Sequence, residues 1–92
     1  MEFEWDDRKE RINASKHGVT FTDAQEAFFD PQRIIAKDIK HSSPAEERFF
    51  CFGKTTSGVL TVRFTMRKGR IRIFGAGYWR EGKEMYDQRN KI

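Results

Sequence analysis

The sequence has one cysteine, two prolines and no apolar run near the about 18 residues that a membrane span requires. Cys51 has no partner for an internal disulfide, which fits a reducing compartment. No signal-peptide pattern opens the chain, so a cytoplasmic protein without membrane contact is expected. Histidine is scarce too. His17, His41 and Cys51 are too scattered to form a zinc site, and neither a metal nor another cofactor is expected. Gly75-Ala76-Gly77 lacks the glycine spacing and the Lys-Ser/Thr of a phosphate loop. Repeats and low-complexity tracts are absent. Ninety-two residues allow one domain, residues 1–92, around one core. Such a chain buries only about 60–65% of the surface its unfolded form exposes, so a deep enclosed cavity is not expected. A working site has to be a groove or an open sheet face.

Charged residues make up 35% of the chain and the mean hydropathy is −0.81, a balance that leans towards disorder. Nine Phe, two Trp and two Tyr argue for a folded core instead. The net charge of +4 is unevenly placed. Residues 1–47 hold 7 Lys/Arg against 11 Asp/Glu, a net −4, and residues 48–92 hold 11 against 3, a net +8. A segment that basic attracts a polyanion, because each phosphate contact releases condensed counterions. A solvated basic surface without a partner is the alternative, and convergence of the cations on one face decides between them.

Local signals order the chain. Phe3-Glu4-Trp5 alternates as a short strand. Asp6 or Asp7 then caps a helix to about Lys16, with Asp7 and Glu10 at capping-box spacing and Gly18 as the stop. That helix has only Ile12 and Ala14 as apolar side chains, so it should ride on the surface. A second helix is expected from Thr22, with Phe21, Ala24, Ala27 and Phe28 on one stripe and Asp30-Pro31 ending it. Arg33–Ile39 is β-prone, and a polar linker follows at His41–Glu47. From Arg48 the period is two, giving strands at about 48–54, 59–67 and 70–76, and residues 79–90 read as a helix.

A two-residue loop at Lys68-Gly69 sets Arg67 opposite Arg70, Thr65 opposite Arg72 and Arg63 opposite Phe74. Pairing Lys54 with Val59 sets Phe52 opposite Thr61, Phe50 opposite Arg63 and Arg48 opposite Thr65. Alternation then gives the three strands an apolar face of Phe49, Cys51, Gly53, Leu60, Val62, Phe64, Met66, Ile71 and Ile73. The opposite face carries Arg48, Phe50, Phe52, Lys54, Arg63, Arg67, Arg70, Arg72 and Phe74, with almost no acid among them. Aromatic rings stack on unpaired bases and arginine forks hold phosphates, so this face suits single-stranded nucleic acid unless another element covers it.

Such a face can bind RNA or cleave it, since the ribose 2′-hydroxyl is a nucleophile carried by the substrate. Cleavage needs charge stabilisation on phosphorus, for which Arg63, Arg67 and Arg72 are candidates, and proton transfer, for which His17, His41, Tyr78, Tyr86 and Glu47 are candidates. Bland roles compete. His17 can cap the first helix, His41 can lie solvated in its linker, and Tyr78, Trp79 and Tyr86 can serve packing.

The ordered series Phe3-Glu4-Trp5-Asp6, Asn13, Lys16-His17-Gly18-Val19, Phe21, Ala24, Phe28 and Asp30-Pro31 resembles the N-terminal signature of BrnT toxins. His41-Ser42, Glu46-Glu47-Arg48, Gly53 and Arg67 continue the resemblance along nearly the whole chain. It implies an α+β, RelE-like fold, with N-terminal helices on a small antiparallel sheet and a short C-terminal helix. It also implies a metal-independent endoribonuclease toxin that arrests translation. The implied partners are RNA and a BrnA-like ribbon-helix-helix antitoxin, with DNA bound only through the antitoxin complex. The site residues taken together are Arg67, Arg72, Arg48 and His17 for catalysis, and Lys16, Phe50, Phe52, Lys54, Arg63, Arg70 and Phe74 for substrate binding. One stretch departs: where many relatives have Ile-Ser-Ala-Arg, this chain has Phe74-Gly75-Ala76-Gly77. A non-catalytic RNA-binding module is the competing reading.

Overall fold

The period-two pattern after Arg48 builds the centre of a five-stranded sheet in the computed structural model, which describes Met1–Ile92. The strands are β1 (Phe3–Trp5), β2 (Ile34–Lys37), β3 (Arg48–Thr55), β4 (Gly58–Arg67) and β5 (Arg70–Gly77), in the spatial order β1-β5-β4-β3-β2. β2 to β5 pair antiparallel in sequence. β1 lies parallel to β5, so the sheet is mixed, not purely antiparallel as the sequence reading expects. No tight turn joins these two strands, and a long crossover permits parallel pairing.

The β3–β4 register matches the sequence pattern throughout, including Phe50 opposite Arg63 and Lys54 opposite Val59. Lys68 and Gly69 both have positive φ, 52° and 76°, the geometry of a type I′ hairpin turn. The β4–β5 register follows the expectation as far as Phe64–Ile73 and then departs from it. Phe64 pairs with Ile73 but Arg63 pairs with Gly75, so Phe74 is the extra residue of a bulge. Arg63 therefore does not stand opposite Phe74.

Helix α1 (Asp7–His17) is capped by the Asp6 carboxylate, which accepts from Arg8 N and Lys9 N, and closed by left-handed Gly18. The expected Asp7–Glu10 capping box does not form. Glu10 instead accepts from the backbone N–H groups of Phe21 and Thr22, at the start of the next helix. That helix, α2 (Phe21–Ala24), is capped by Thr20 rather than Thr22 and tightens into a 3₁₀ segment, Gln25–Phe29. Its stripe behaves as expected, with Phe21, Ala24, Ala27 and Phe28 all buried against the apolar sheet face. From that face Met66, near the hairpin tip, is the exception, at 51% exposed.

Helix α3 (Arg80–Asn90) crosses the other face over β3 and β4. Tyr86, Phe52 and Val59 form a second small core there, flanked by Phe50 and Met85. Gly82 makes this approach possible, because a Cβ at that position would lie 1.9 Å from Thr61 Oγ1. At the far end Tyr86 donates to Asp30 and Asn90 donates to the Gln32 carbonyl, which pins the helix.

Candidate nucleic-acid interface

Helix α3 divides the cationic face. Beneath it Phe52 is buried, while Phe50 is only half-buried and lines a groove beside the helix. Lys54 stands at the end of β3 where its backbone N–H donates to Asp30, away from the other cations. Arg48, Arg63, Arg67, Arg70, Arg72 and Phe74 lie on the part that α3 leaves open.

Helix α1 borders this open part. Asn13, the one buried residue of α1, donates to the carbonyls of Val19 and Ala76 at 2.9 Å and accepts from Ala76 N at 3.1 Å. These bonds fix the last turn of α1 beside the end of β5. A cleft of about 350 Å³ results, lined by Lys9, Ile12, Lys16 and His17 from α1 and by Arg48, Arg63, Phe74, Gly75 and Trp79. The guanidinium carbons of Arg48 and Arg63 stand 4.4 and 5.6 Å from the centre of the Phe74 ring. A cation held over a ring face is attracted by its quadrupole, which orients both forks. The bulge carries Phe74 out of register while keeping its ring under these arginines.

Acid does reach this face, contrary to the reading from β3–β5 alone. Glu46, from the loop before β3, accepts from Arg48 Nε at 2.7 Å and pairs with Arg67 at 3.6 Å. Glu4 on β1 accepts from Arg72 at 2.8 Å and pairs with Arg70 at 3.8 Å, and Glu2 lies 3.8 Å from Arg70. The hydrogen bond from Arg48 holds the Glu46 carboxyl below its ordinary value, against the opposing effect of desolvation. The bond from Arg72 does the same for Glu4. Arg63 and Lys16 have no carboxylate partner.

Of the proton-transfer candidates, only His17 lines the cleft. Its ring meets Trp79 edge to face at 5.1 Å. His41 Nδ1 is 2.8 Å from buried Asp38 in the loop. Tyr78 shares a 2.9 Å hydrogen bond with Thr55, Tyr86 is buried on Asp30, and Glu47 pairs with Lys37. Arg67, Arg70 and Arg72 share the open face but lie outside the cleft lining. No group of three or more His, Cys, Asp or Glu is placed to hold a metal ion. Burial pushes the Cys51 thiol up to about 12, which leaves it unreactive.

Two residues have a larger part in this site than the sequence reading gives them, Trp79 there a packing residue and Glu46 a member of the family resemblance alone. Trp79 forms a wall of the cleft, and its indole packs where a side chain at Gly77 would stand: a Cβ there would come within 2.5 Å of the ring. A tryptophan two residues beyond a strand-end glycine was the available signal. Glu46 is the other: Arg48 stands two residues after it, but its second partner, Arg67, comes from another strand and no local pattern marks that pairing.

The fold is of the α+β, RelE-like kind that the resemblance implied, with the sheet mixed. The sequence model of a family described as ribonuclease toxin, BrnT, of type II toxin-antitoxin systems matches residues 5–83. The match takes in most of the chain, and the protein belongs to that family. No curated protein matches it.

Proposed function

We propose that this protein is an endoribonuclease toxin whose cleft between α1 and the bulged end of β5 holds the scissile phosphate of RNA. The observation that carries this reading is the convergence of Lys16, His17, Arg48 and Arg63 over one ring, Phe74. In the proposed reaction the 2′-oxygen attacks phosphorus, the bond to the 5′-oxygen breaks, and a 2′,3′-cyclic phosphate and a 5′-hydroxyl result. His17 takes the 2′-hydroxyl proton, and the leaving oxygen takes a proton from water. The Arg63 and Arg48 guanidiniums, with Lys16, stabilise the added negative charge on the phosphoryl oxygens. No metal enters this scheme, since the substrate supplies the nucleophile. Arg67, Arg70 and Arg72 extend the positive surface along the flanking strand of RNA, with Arg67 and Arg72 delivering charge as their carboxylate partners yield. Lys54 lies beyond α3 and is left with a peripheral role.

The family's description as a toxin of type II toxin-antitoxin systems supports an antitoxin partner. We take that partner to be BrnA-like, with a ribbon-helix-helix part through which the complex reaches DNA, and the setting to be the cytoplasm.

Purified protein incubated with RNA in EDTA should yield fragments ending in cyclic phosphate, and Arg63→Ala or His17→Ala should suppress them by at least about 100-fold, the usual scale for losing one proton-transfer or charge-stabilising group. Induced expression should arrest growth, and co-expression of the antitoxin should restore it. RNA left whole both free and on translating ribosomes removes the catalytic claim. The glycines at 75 and 77, which put no side chain beside the cleft, favour a second reading in which RNA is bound and not cut. That reading gives salt-sensitive binding without fragments.

A further inference from the structure

Trp79 does not serve the cleft alone. It also lines a second groove, of about 740 Å³, between the first turns of α3 and the β2–β3 side of the sheet. Its size falls in the usual range of small-molecule sites, about 300–1,000 Å³. The walls are apolar and aromatic: Trp79, the half-buried Phe50 and Met85. Lys37 and Arg80 stand on its rim, with Glu81 the one carboxylate. The same tryptophan thus lines a cationic cleft and an apolar groove, and that pairing matches the two ends of a nucleotide.

We propose that this groove is a nucleobase subsite of the RNA site, in which a base next to the phosphate held in the cleft packs against the Trp79 indole. The inference rests on the RNA reading given above and adds to it where the base goes. Phosphate binding alone needs the arginines and the α1 cations, and it leaves the apolar groove that shares the Trp79 wall without a purpose. A base has an apolar face for Trp79, Phe50 and Met85, while the flanking phosphates meet Arg80 and Lys37. Packing of this kind tolerates different bases, because each offers a π-face.

The test uses a fluorescent 2′-O-methyl oligoribonucleotide, which cannot attack its own phosphate, and the same strand with one abasic residue moved along it. Removing the base at one position should weaken binding about ten-fold, the effect of one lost stacking contact. In Trp79→Ala that difference between intact and abasic strands should vanish. Trp79→Phe keeps a ring on the strand end and should retain part of the difference. Met85→Glu, at a partly exposed helix position, should reduce it independently. Circular dichroism establishes that each variant is folded.

Salt-sensitive binding with a flat abasic scan overturns the subsite and leaves the RNA site standing. So does a scan whose pattern survives both Trp79→Ala and Met85→Glu, or an effect of these variants on antitoxin affinity alone. No binding of any strand at low salt removes the RNA reading and the subsite with it.

Discussion

Tyr86 donates its phenolic hydrogen to Asp30 at 2.5 Å, joining α3 to the turn that leads into β2. Asp30 also accepts from the backbone N–H groups of Lys54 and Gln32. One carboxylate therefore ties together the end of the 3₁₀ segment, β3 and α3. Tyr86→Phe should lower stability by about 1.5–3 kcal/mol, the range for a hydrogen bond to a charged group, as read from the urea midpoint.

The same pair sets a pH dependence at both extremes. Burial and the bond to Asp30 push the Tyr86 hydroxyl up to about 12 from 10.0. Its contribution is complete below pH 10.0 and disappears as the pH rises towards about 12. Burial works to raise the Asp30 carboxyl, but the bonds from Tyr86, Lys54 and Gln32 outweigh it and hold it below 3.8. Its contribution is present above pH 3.8 and is lost as the pH falls through the lowered value. Tyr86→Phe should flatten the alkaline limb of a stability–pH curve, and an unchanged limb would refute the assignment.

Gly82→Ala is expected to destabilise, although alanine is the better helix former by about 1 kcal/mol. The new methyl meets Thr61 Oγ1, a buried oxygen with no hydrogen-bond partner, at 1.9 Å. Overpacking of this kind costs about 1–3 kcal/mol. Adding Thr61→Ala should recover much of the loss, and thermal melts of the single and double variants check the coupling.

Asn13→Ala removes all three bonds between α1 and the Val19 and Ala76 backbone. The Ala76 N–H and carbonyl lose their partner in a buried place, which costs about 1–3 kcal/mol per unsatisfied group. A folded Asn13→Ala protein should also bind RNA more weakly, since Lys16 and His17 lose their fixed distance from Arg63. Stability and oligonucleotide affinity are both measured.

Glu46→Gln should strengthen RNA binding, because Arg48 and Arg67 then carry unopposed charge to the phosphates. Binding titrations at two salt concentrations measure it. An affinity equal to or below that of the unaltered protein counts against Glu46 as a competitor of phosphate.

Much of this fold is legible in the residue order. Strict alternation and two short loops fix β3 against β4 and the end of β4, Phe64 to Arg67, against β5. The stripe Phe21–Ala24–Ala27–Phe28 fixes which sheet face is core. The bulge is not legible, because Phe74 falls in step with Arg70 and Arg72 in the alternation and nothing nearby signals an extra residue. Nor is the route of α3: its apolar residues Met85 and Tyr86 do not say which of two faces they cover, and that choice decides whether Phe50 and Phe52 are open or covered. The pairing of Glu4 with Arg72 spans most of the chain, and local patterns contain no such information.

The carboxylates of Glu2, Glu4 and Glu46 give the arginine face an internal counterion supply. Added salt then acts twice: it screens the phosphate contacts, and it loosens the bonds that withhold those arginines from phosphate. The two effects oppose each other. A salt titration of the unaltered protein should therefore report fewer phosphates than the RNA touches, and removal of the acids should bring the full number into view.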